Sequence, residues 1–433
     1  MKVAENNTLS LPKGYKKIEV GLIPEDWEVK AIGEIFTFYS TSNFSKAEMT
    51  LDGEVGCVHY GLIHAIDNTS FSLRNGVKFY VTKEQAKYES LQNGDVVMVD
   101  ASEDLVGLNK SVEVSGITDK EYIAGLHTFH LRDKNSTYIN SFRGLVLNSD
   151  SVKKQMLRVA VGMKVFGVSK PQLQQILVPV PTKAEQAAIA TALSDADALI
   201  SSLEKLIAKK RMIKQGAMQK LLQPKEGWEV KKLGEIGTIV TGSTPPTQIK
   251  EYWNGSIPWI TPTDITINQK DIFHSEREIT NAGLQAIRKL PANTLLVTCI
   301  ASIGKNAILR IEGACNQQIN AIIPNAGYSV DYLYFLIENS KSYIIGKAGI
   351  TATMMISKNE FSEIVYAFPD FNEQTRIATI LSDMDAEIDA LETKLEKYRK
   401  VKLGMMQNLL TGKIRLNQDL QDSGIDRIKN EVV

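Results

Sequence analysis

The chain has 433 residues, of which 43% are apolar and 23% charged. That length calls for two or three domains, and that composition for a folded globular protein rather than a disordered one. Its 50 basic side chains balance 50 acidic ones, which speaks against a uniformly basic nucleic-acid binder. Cys57, Cys299 and Cys315 lie far apart with no CxxC, so neither a disulfide framework nor a thiolate metal cage is expected. They read as buried small apolar residues. The first residues are polar, and no run approaches the ~20 apolar residues that span a bilayer. A cytoplasmic protein without membrane contact is expected.

In chain order, a first variable segment covers about 15–182. Short apolar runs with turn punctuation fill it, such as Asp95-Val96-Val97-Met98-Val99 after Asn93-Gly94. The stretch 83–91 reads as a helix. An uninterrupted helical pattern follows from Glu185 to Leu222, roughly 57 Å at full helical rise. Pro181 stands ahead of it and Pro224 closes it. A second variable segment covers about 225–370, with Leu295-Leu296-Val297-Thr298 as a strand and 330–340 as a helix. Pro369 then precedes another long helical pattern.

The chain repeats itself. Trp27-Glu28-Val29-Lys30 recurs as Trp228-Glu229-Val230-Lys231, and Gly33-Glu34-Ile35 as Gly234-Glu235-Ile236, at an offset of 201. Further on the offset is 188: Ser169-Lys170 with Ser357-Lys358, Glu185-Gln186 with Glu373-Gln374, Leu193-Ser194-Asp195 with Leu381-Ser382-Asp383, Leu221-Leu222 with Leu409-Leu410. An ordered series at a stable offset marks an internal duplication. The first globular segment is 13 residues longer than the second.

The second long helix carries apolar residues at Ile377, Leu381, Met384, Ile388, Leu391, Leu395, Tyr398, Val401, Met405 and Leu409, near coiled-coil spacing. The first runs through Ile189, Leu193, Ala196, Ile200, Leu203 and Ile207, then Lys210, Ile213, Ala217 and Leu221. A narrow apolar stripe needs a partner, and the other copy is the economical one. Residues 185–204 carry four acids and no base, while 205–220 carry six bases and no acid. In the second helix acids dominate 383–392 and bases 394–402. Antiparallel packing sets acids against bases; parallel packing would oppose like charges. The same order also suits each helix dipole. The expected fold is therefore α/β (α+β). Two globular domains alternate with two long helices that form an antiparallel coiled coil, related by a pseudo-twofold repeat. Ile189, Leu193, Ile200, Leu203, Ile207, Leu381, Ile388, Leu391 and Leu395 are its packing residues.

No catalytic constellation emerges. The five histidines form neither HExxH nor a His/Cys cluster, and His127 and His130 read as structural. There is no P-loop, GxGxxG or GxSxG. No catalytic and no metal residue is assigned. Charge, however, is uneven. Residues 151–184 hold no acid and six bases: Lys153, Lys154, Arg158, Lys164, Lys170 and Lys183. Residues 339–359 hold no acid and carry Lys341, Lys347 and Lys358, with Lys153 matching Lys341 and Lys170 matching Lys358. Such stretches in both copies point to a shared face for a polyanion, where lysine and arginine would grip phosphates. The candidate DNA-binding residues are Lys153, Lys154, Arg158, Lys164 and Lys170 in the first copy. In the second they are Ser243, Thr244, Lys305, Lys341, Lys347 and Lys358. Loops 40–43, 241–244 and 315–318 carry the residue types that read base edges, although ordinary turns use them too.

Gly14-Tyr15-Lys16-Lys17 with Ile23-Pro24-Glu25-Asp26-Trp27-Glu28-Val29 resembles the opening of specificity (S) subunits of type I restriction–modification enzymes. So do Gly242-Ser243-Thr244-Pro245, Tyr252-Trp253-Asn254-Gly255, the Glu-Gln pairs opening each long helix, and Leu409-Leu410-Thr411-Gly412-Lys413-Ile414-Arg415. The resemblance covers roughly 14–415. It implies a first target recognition domain at 1–182 and a spacer helix at 183–223. A second recognition domain at 224–370, a second spacer helix at 371–415 and a tail at 416–433 follow. Each recognition domain would read one half of an asymmetric bipartite site on double-stranded DNA. The helices would dock two modification (methyltransferase) subunits, and restriction subunits would join them. S-adenosylmethionine, ATP and Mg would sit on those partners, with no cofactor in this chain. The alternative is a coiled-coil scaffold with globular protein-binding ends.

Overall fold

The computed structural model describes residues 13–18, 21–103, 107–162, 165–267, 270–348 and 354–416. The chain divides into two compact units: 1–203 with 394–433, and 204–393. Each unit holds one globular domain and one half of each long helix.

In the first unit a five-stranded sheet has the order Phe36–Tyr39, Thr128–Asp133, Val96–Val99, Ser111–Ser115, Ser70–Ser72, antiparallel except for the last pair. Val55–Val58 lies between a parallel Glu121–Ala124 and an antiparallel Tyr80–Val81. The second unit repeats this plan. Its five strands are Gly237–Thr241, Ile319–Pro324, Thr294–Thr298, Asn306–Leu309 and Asp271–Ile272, again with only the last pair parallel. Trp253–Ile260 lies between a parallel Ala314–Cys315 and an antiparallel Glu278–Ile279. The expected mixed architecture and internal repeat are present. The three cysteines are free and buried. Burial pushes the Cys57 thiol up and that of Cys299 up to about 11, so both stay protonated at neutral pH.

The recurring tripeptide has a mechanical reason. Glu34 accepts the Ala31 amide at 2.7 Å, and Glu235 accepts the Lys232 amide at 2.6 Å, each closing the start of a one-turn helix. A Cβ on Gly33 would meet Gln174 at 3.0 Å, and one on Gly234 would meet Ser362 at 3.2 Å. Both glycines thus let a short capped helix approach closely.

The long helices run Lys183–Leu221 and Phe371–Leu409, 39 residues each. Within the first unit Ile189 and Leu193 share a core with Leu409 and Leu410, while Lys402 pairs with Asp197. Within the second, Met218 and Leu222 share a core with Ile377 and Leu381. There Lys210 meets Glu387 at 2.5 Å and Arg211 meets Glu392 at 2.6 Å, and Lys214 pairs with Asp385. The pairing is antiparallel in both units, with basic halves on acidic halves. Of the expected packing residues, Ile189, Leu193, Leu203, Ile207, Leu381, Ile388 and Leu395 are buried, whereas Ile200 and Leu391 are half-buried.

Two seam positions need correction. Ile213 is 46% exposed and Val401 45% exposed. The stripe instead passes through Lys214 and Lys402, whose stems are half-buried and whose ammonium groups meet Asp385 and Asp197. A 3.6-residue helix drifts off a strict heptad, and these lysines absorb the drift. The offset of 188 maps Lys214 on Lys402 and Asp197 on Asp385, so the two pairs are the same interaction made twice.

The expected helix at 83–91 is absent. Thr82 donates its amide to Gln85 Oε1, and the chain then leaves the turn. Tyr88 packs edge-on to Phe44 and Glu89 reaches Arg132 at 2.6 Å, contacts that a helix would not present together. The expected helix at 330–340 is Val330–Asn339. No helix among the described residues is long and apolar enough to cross a membrane.

Each domain is bolted to its long helix by one glutamine. Gln186 is fully buried; its Oε1 accepts the Ile139 amide at 2.9 Å, and its Nε2 donates to Pro181 and Thr137 carbonyls. Gln374 accepts the Ser329 amide at 3.0 Å and donates to the Pro369 and Gly327 carbonyls. In the first unit the C-terminal motif closes the structure as well. Arg415 bonds Asp26 at 2.9 and 2.8 Å and Glu185 at 3.0 and 2.8 Å, while Trp27 Nε1 donates to Glu185 at 2.8 Å. The Arg415 guanidinium holds the Asp26 carboxyl below its usual range. Gly412, at φ 66°, lies where a Cβ would come 2.4 Å from Pro24.

Removing a glutamine leaves a buried amide unsatisfied, so Gln186→Ala is expected to cost about 2–3 kcal/mol. Hydrogen exchange should quicken around 137–139 and stay unchanged around 327–329; Gln374→Ala should do the reverse. For the helix pair, Asp385→Lys should destabilise the second unit by about 1–2 kcal/mol in urea, and Lys214→Asp added to it should restore a substantial part.

Candidate nucleic-acid interface

The acid-free stretch of the first copy, with Asp150 just ahead of it, folds into helix Asp150–Val159, strand Phe166–Gly167 and helix Lys170–Gln175. Gln172 donates to the Val159 carbonyl at 2.9 Å, so the two helices form one patch, and Gln155 ties the first of them to strand Leu177–Val180 at 2.8 Å. Lys154, Arg158 and Lys170 on it are exposed, and Lys153 is half-buried. Lys170 Nζ lies 5.5 Å from the Phe38 ring centre. Lys164 lies outside the described residues.

The second copy is less uniform. Lys341 opens helix Lys341–Ile345 and is tied to Glu338 at 2.5 Å, an acid one residue outside the acid-free window. Lys347 is exposed beside the Tyr343 ring at 5.3 Å. Lys358 is exposed at the first position of helix Lys358–Ser362, as Lys170 is in its own helix. The Ser169 and Ser357 amides open these helices alike, donating to Gln172 Oε1 at 2.9 Å and to Glu360 Oε2 at 2.8 Å.

Lys305 stands apart from these lysines. Its Nζ reaches Thr266 at 3.1 Å, in a cleft of 640 Å³ that also takes in Lys214, Lys270 and Lys341. Asp271, Glu338, Asp385 and Asp389 line the same cleft, which offsets its lysines. Lys270 bonds Asp331 at 2.7 Å and Ser382 at 2.8 Å. Burial alone would raise the Asp331 carboxyl, but Arg310 and Lys270 outweigh it and hold it below its usual range. Sequence spacing gave no sign of Lys270, because its partners lie 61 and 112 residues away in the chain.

The structure brings loops 241–244 and 315–318 together. Ser243 donates its amide to Cys315 at 2.8 Å, and Thr244 Oγ1 donates to Gln317 at 2.7 Å. Ser243 is committed to the scaffold, since its hydroxyl accepts the Arg288 amide at 3.1 Å and its carbonyl accepts Trp259 Nε1 at 2.9 Å. Thr244 is exposed. Arg288 anchors the loop by bonding the Thr241 carbonyl at 2.7 Å, a role its sequence context did not signal. In the first copy Ser42 of loop 40–43 is buried beside Cys57. His130 is buried against Asp95 at 2.7 Å, and His127 pairs with Asp100 at 3.6 Å. Among the described residues no group of three or more His, Cys, Asp or Glu could hold a metal ion.

Comparison with known proteins bears on these two domains. A family model described as type I restriction modification DNA specificity domain matches residues 24–211 and again 225–398. The type I restriction enzyme MjaIX specificity subunit of Methanocaldococcus jannaschii is 37% identical over 43% of this chain, and the match spans 44% of that relative. The chain thus spans under half the length of that relative. The putative type I restriction enzyme MjaX specificity subunit of the same organism is 26% identical, covering 93% of this chain and 97% of the relative. A solved structure concerned with complex assembly and conformational transition of the type I R-M system shares the fold. Its TM-score is 0.61 at 14% identity, over 90% of this chain and 99% of that one. The two family matches together take in most of the chain, one on each copy of the repeat, and the chain belongs to the type I restriction modification DNA specificity family.

Proposed function

We propose that this chain is the sequence-specific DNA-recognition subunit of a type I restriction–modification complex. The observation that carries the reading is the pair of family matches on two domains of one topology. The domains at 1–182 and 224–370 each read one half of an asymmetric bipartite site. The helices at 183–223 and 371–415 dock two methyltransferase subunits, which restriction subunits join. The chain is not itself an enzyme: S-adenosylmethionine, ATP and Mg act on the partners, in the cytoplasm. The tail at 416–433 is given no role. Nothing in either unit favours the scaffold reading, whereas the relatives are named specificity subunits.

Lys154, Arg158 and Lys170 supply phosphate contacts from the first domain, and Lys347 and Lys358 from the second. Net neutrality of the chain keeps its own grip weak, and partner subunits complete it.

Methylome sequencing of cells carrying the assembled system identifies the site. The complex should bind that duplex at least about 10³-fold more tightly than random duplex. Equal affinity for both would refute recognition. Charge reversal of Lys154, Arg158 and Lys170 together should weaken binding to both duplexes and lower the salt slope by about two to three units. Assembly with methyltransferase subunits should persist. An unchanged slope would remove this patch from the DNA surface.

A further inference from the structure

The first domain contains a cavity of 530 Å³ lined by Phe44, Lys46, His59, Tyr60, Lys78 and Phe79 among others. That volume lies in the range of small-ligand pockets, about 300–1,000 Å³. The Phe79 ring is only half-buried and lies 5.3 Å from that of His59. The Lys46 and Lys78 ammonium groups stand 5.6 and 5.7 Å from the Phe79 ring centre. Both lysines are exposed, and neither has an ion-pair partner among the described residues.

His59 is 9% exposed. Its Nδ1 accepts the Gly61 amide at 3.1 Å. Burial first, and the Lys46 charge next, hold the imidazole below its usual pKa and so neutral. With Nδ1 accepting, the proton is on Nε2. That Nε2–H is buried and has no hydrogen-bond partner among the described residues. Folded proteins seldom leave a buried donor without an acceptor.

The second domain places a different side chain at the position of Phe79. Trp253–Ile260 matches Val55–Val58, and Arg277 precedes strand Glu278–Ile279 as Phe79 precedes Tyr80–Val81. The Arg277 guanidinium lies 4.0 Å from the Trp253 ring centre and 5.0 Å from that of Trp259. Trp259 Nε1 is satisfied by the Ser243 carbonyl at 2.9 Å. At matching positions one domain thus lays a planar cation on its own tryptophans, while the other leaves a phenyl ring at a cavity.

We propose that this cavity receives one unstacked nucleotide of the DNA bound by the first domain, its base against Phe79 and accepting from His59 Nε2, its phosphate held by Lys46 and Lys78. The proposal rests on the recognition reading above. A base has a flat apolar face for the phenyl ring and acceptors on its edge for the imidazole. The adjoining phosphate matches two unpaired lysines at an aromatic rim. Stacking on an aromatic side chain and cationic contact to the backbone is how unpaired strands are gripped. The cost of unstacking is smallest at a weakly stacked step, so the cavity would add sequence preference without reading a groove.

The test uses the chain assembled with its methyltransferase subunits on its identified duplex, with 2-aminopurine placed at each position of the first half-site in turn. One position should brighten severalfold on binding. Phe79→Ala should abolish that signal and weaken binding about tenfold. Lys46→Gln with Lys78→Gln, both at the surface, should lower affinity without disturbing the fold, whereas signals in the second half-site stay unchanged. Brightening at no position, or equal brightening in wild type and all variants, overturns the proposal. If the wild-type complex discriminates its site from random duplex while the cavity variants behave as wild type, the cavity alone is refuted. If wild type does not discriminate, recognition itself fails.

Discussion

An apolar stripe along a 39-residue helix cannot remain in water, and everything else in this protein depends on how that stripe is covered. Each buried leucine or isoleucine is worth about 1.5–3 kcal/mol, which sets the strength of the pairing but not its direction. Direction comes from charge. In the second unit the basic half of one helix lies on the acidic half of the other through Lys210, Arg211 and Lys214. In the first unit Lys402 and Asp197 do the same with the roles of the helices exchanged. A parallel arrangement would set like charges together along the same half-buried seam, where water screens them poorly.

The two globular domains share one plan. They can change surface without changing topology. Both have the same five-strand order and the same three-strand cluster. Within that frame, Phe79 and Arg277 stand at matching places before matching strands, and make opposite use of them. A strand position tolerates such a swap because the ladder hydrogen bonds are made by the backbone, not by the side chain.

The long helices, the duplication and their antiparallel sense could be read from sequence, because period, offset and charge order are properties of the chain itself. The exact seam could not. Ile213 is apolar and on the heptad, but helical drift turns it outward and brings the stem of Lys214 in. The stretch 83–91 has helix-forming residues, and tertiary contacts of Tyr88 and Glu89 override that preference. The basic patch was half legible. Lys154, Arg158 and Lys170 are exposed as a run of bases implies, but Lys341 meets Glu338, the residue just before the acid-free stretch. The cavity of the first domain left no trace at all, because it joins residues 44–46, 59–60 and 78–79 by folding.

Many residues that the two copies share make the same contacts. Glu34 and Glu235 cap the same helix, and Gln186 and Gln374 accept one amide and donate to two carbonyls in matching places. Ser169 and Ser357 open the same capping box, and Lys214 and Lys402 make the same ion pair. These are junctions at which a domain meets its helix or a helix meets its partner. Their geometry is set by backbone groups that must be satisfied, so few side chains will serve. Recognition surfaces carry no such obligation, since water satisfies them until a partner arrives. The repeat therefore marks the mechanics of the molecule, and the places where the copies part company mark what each half is free to bind.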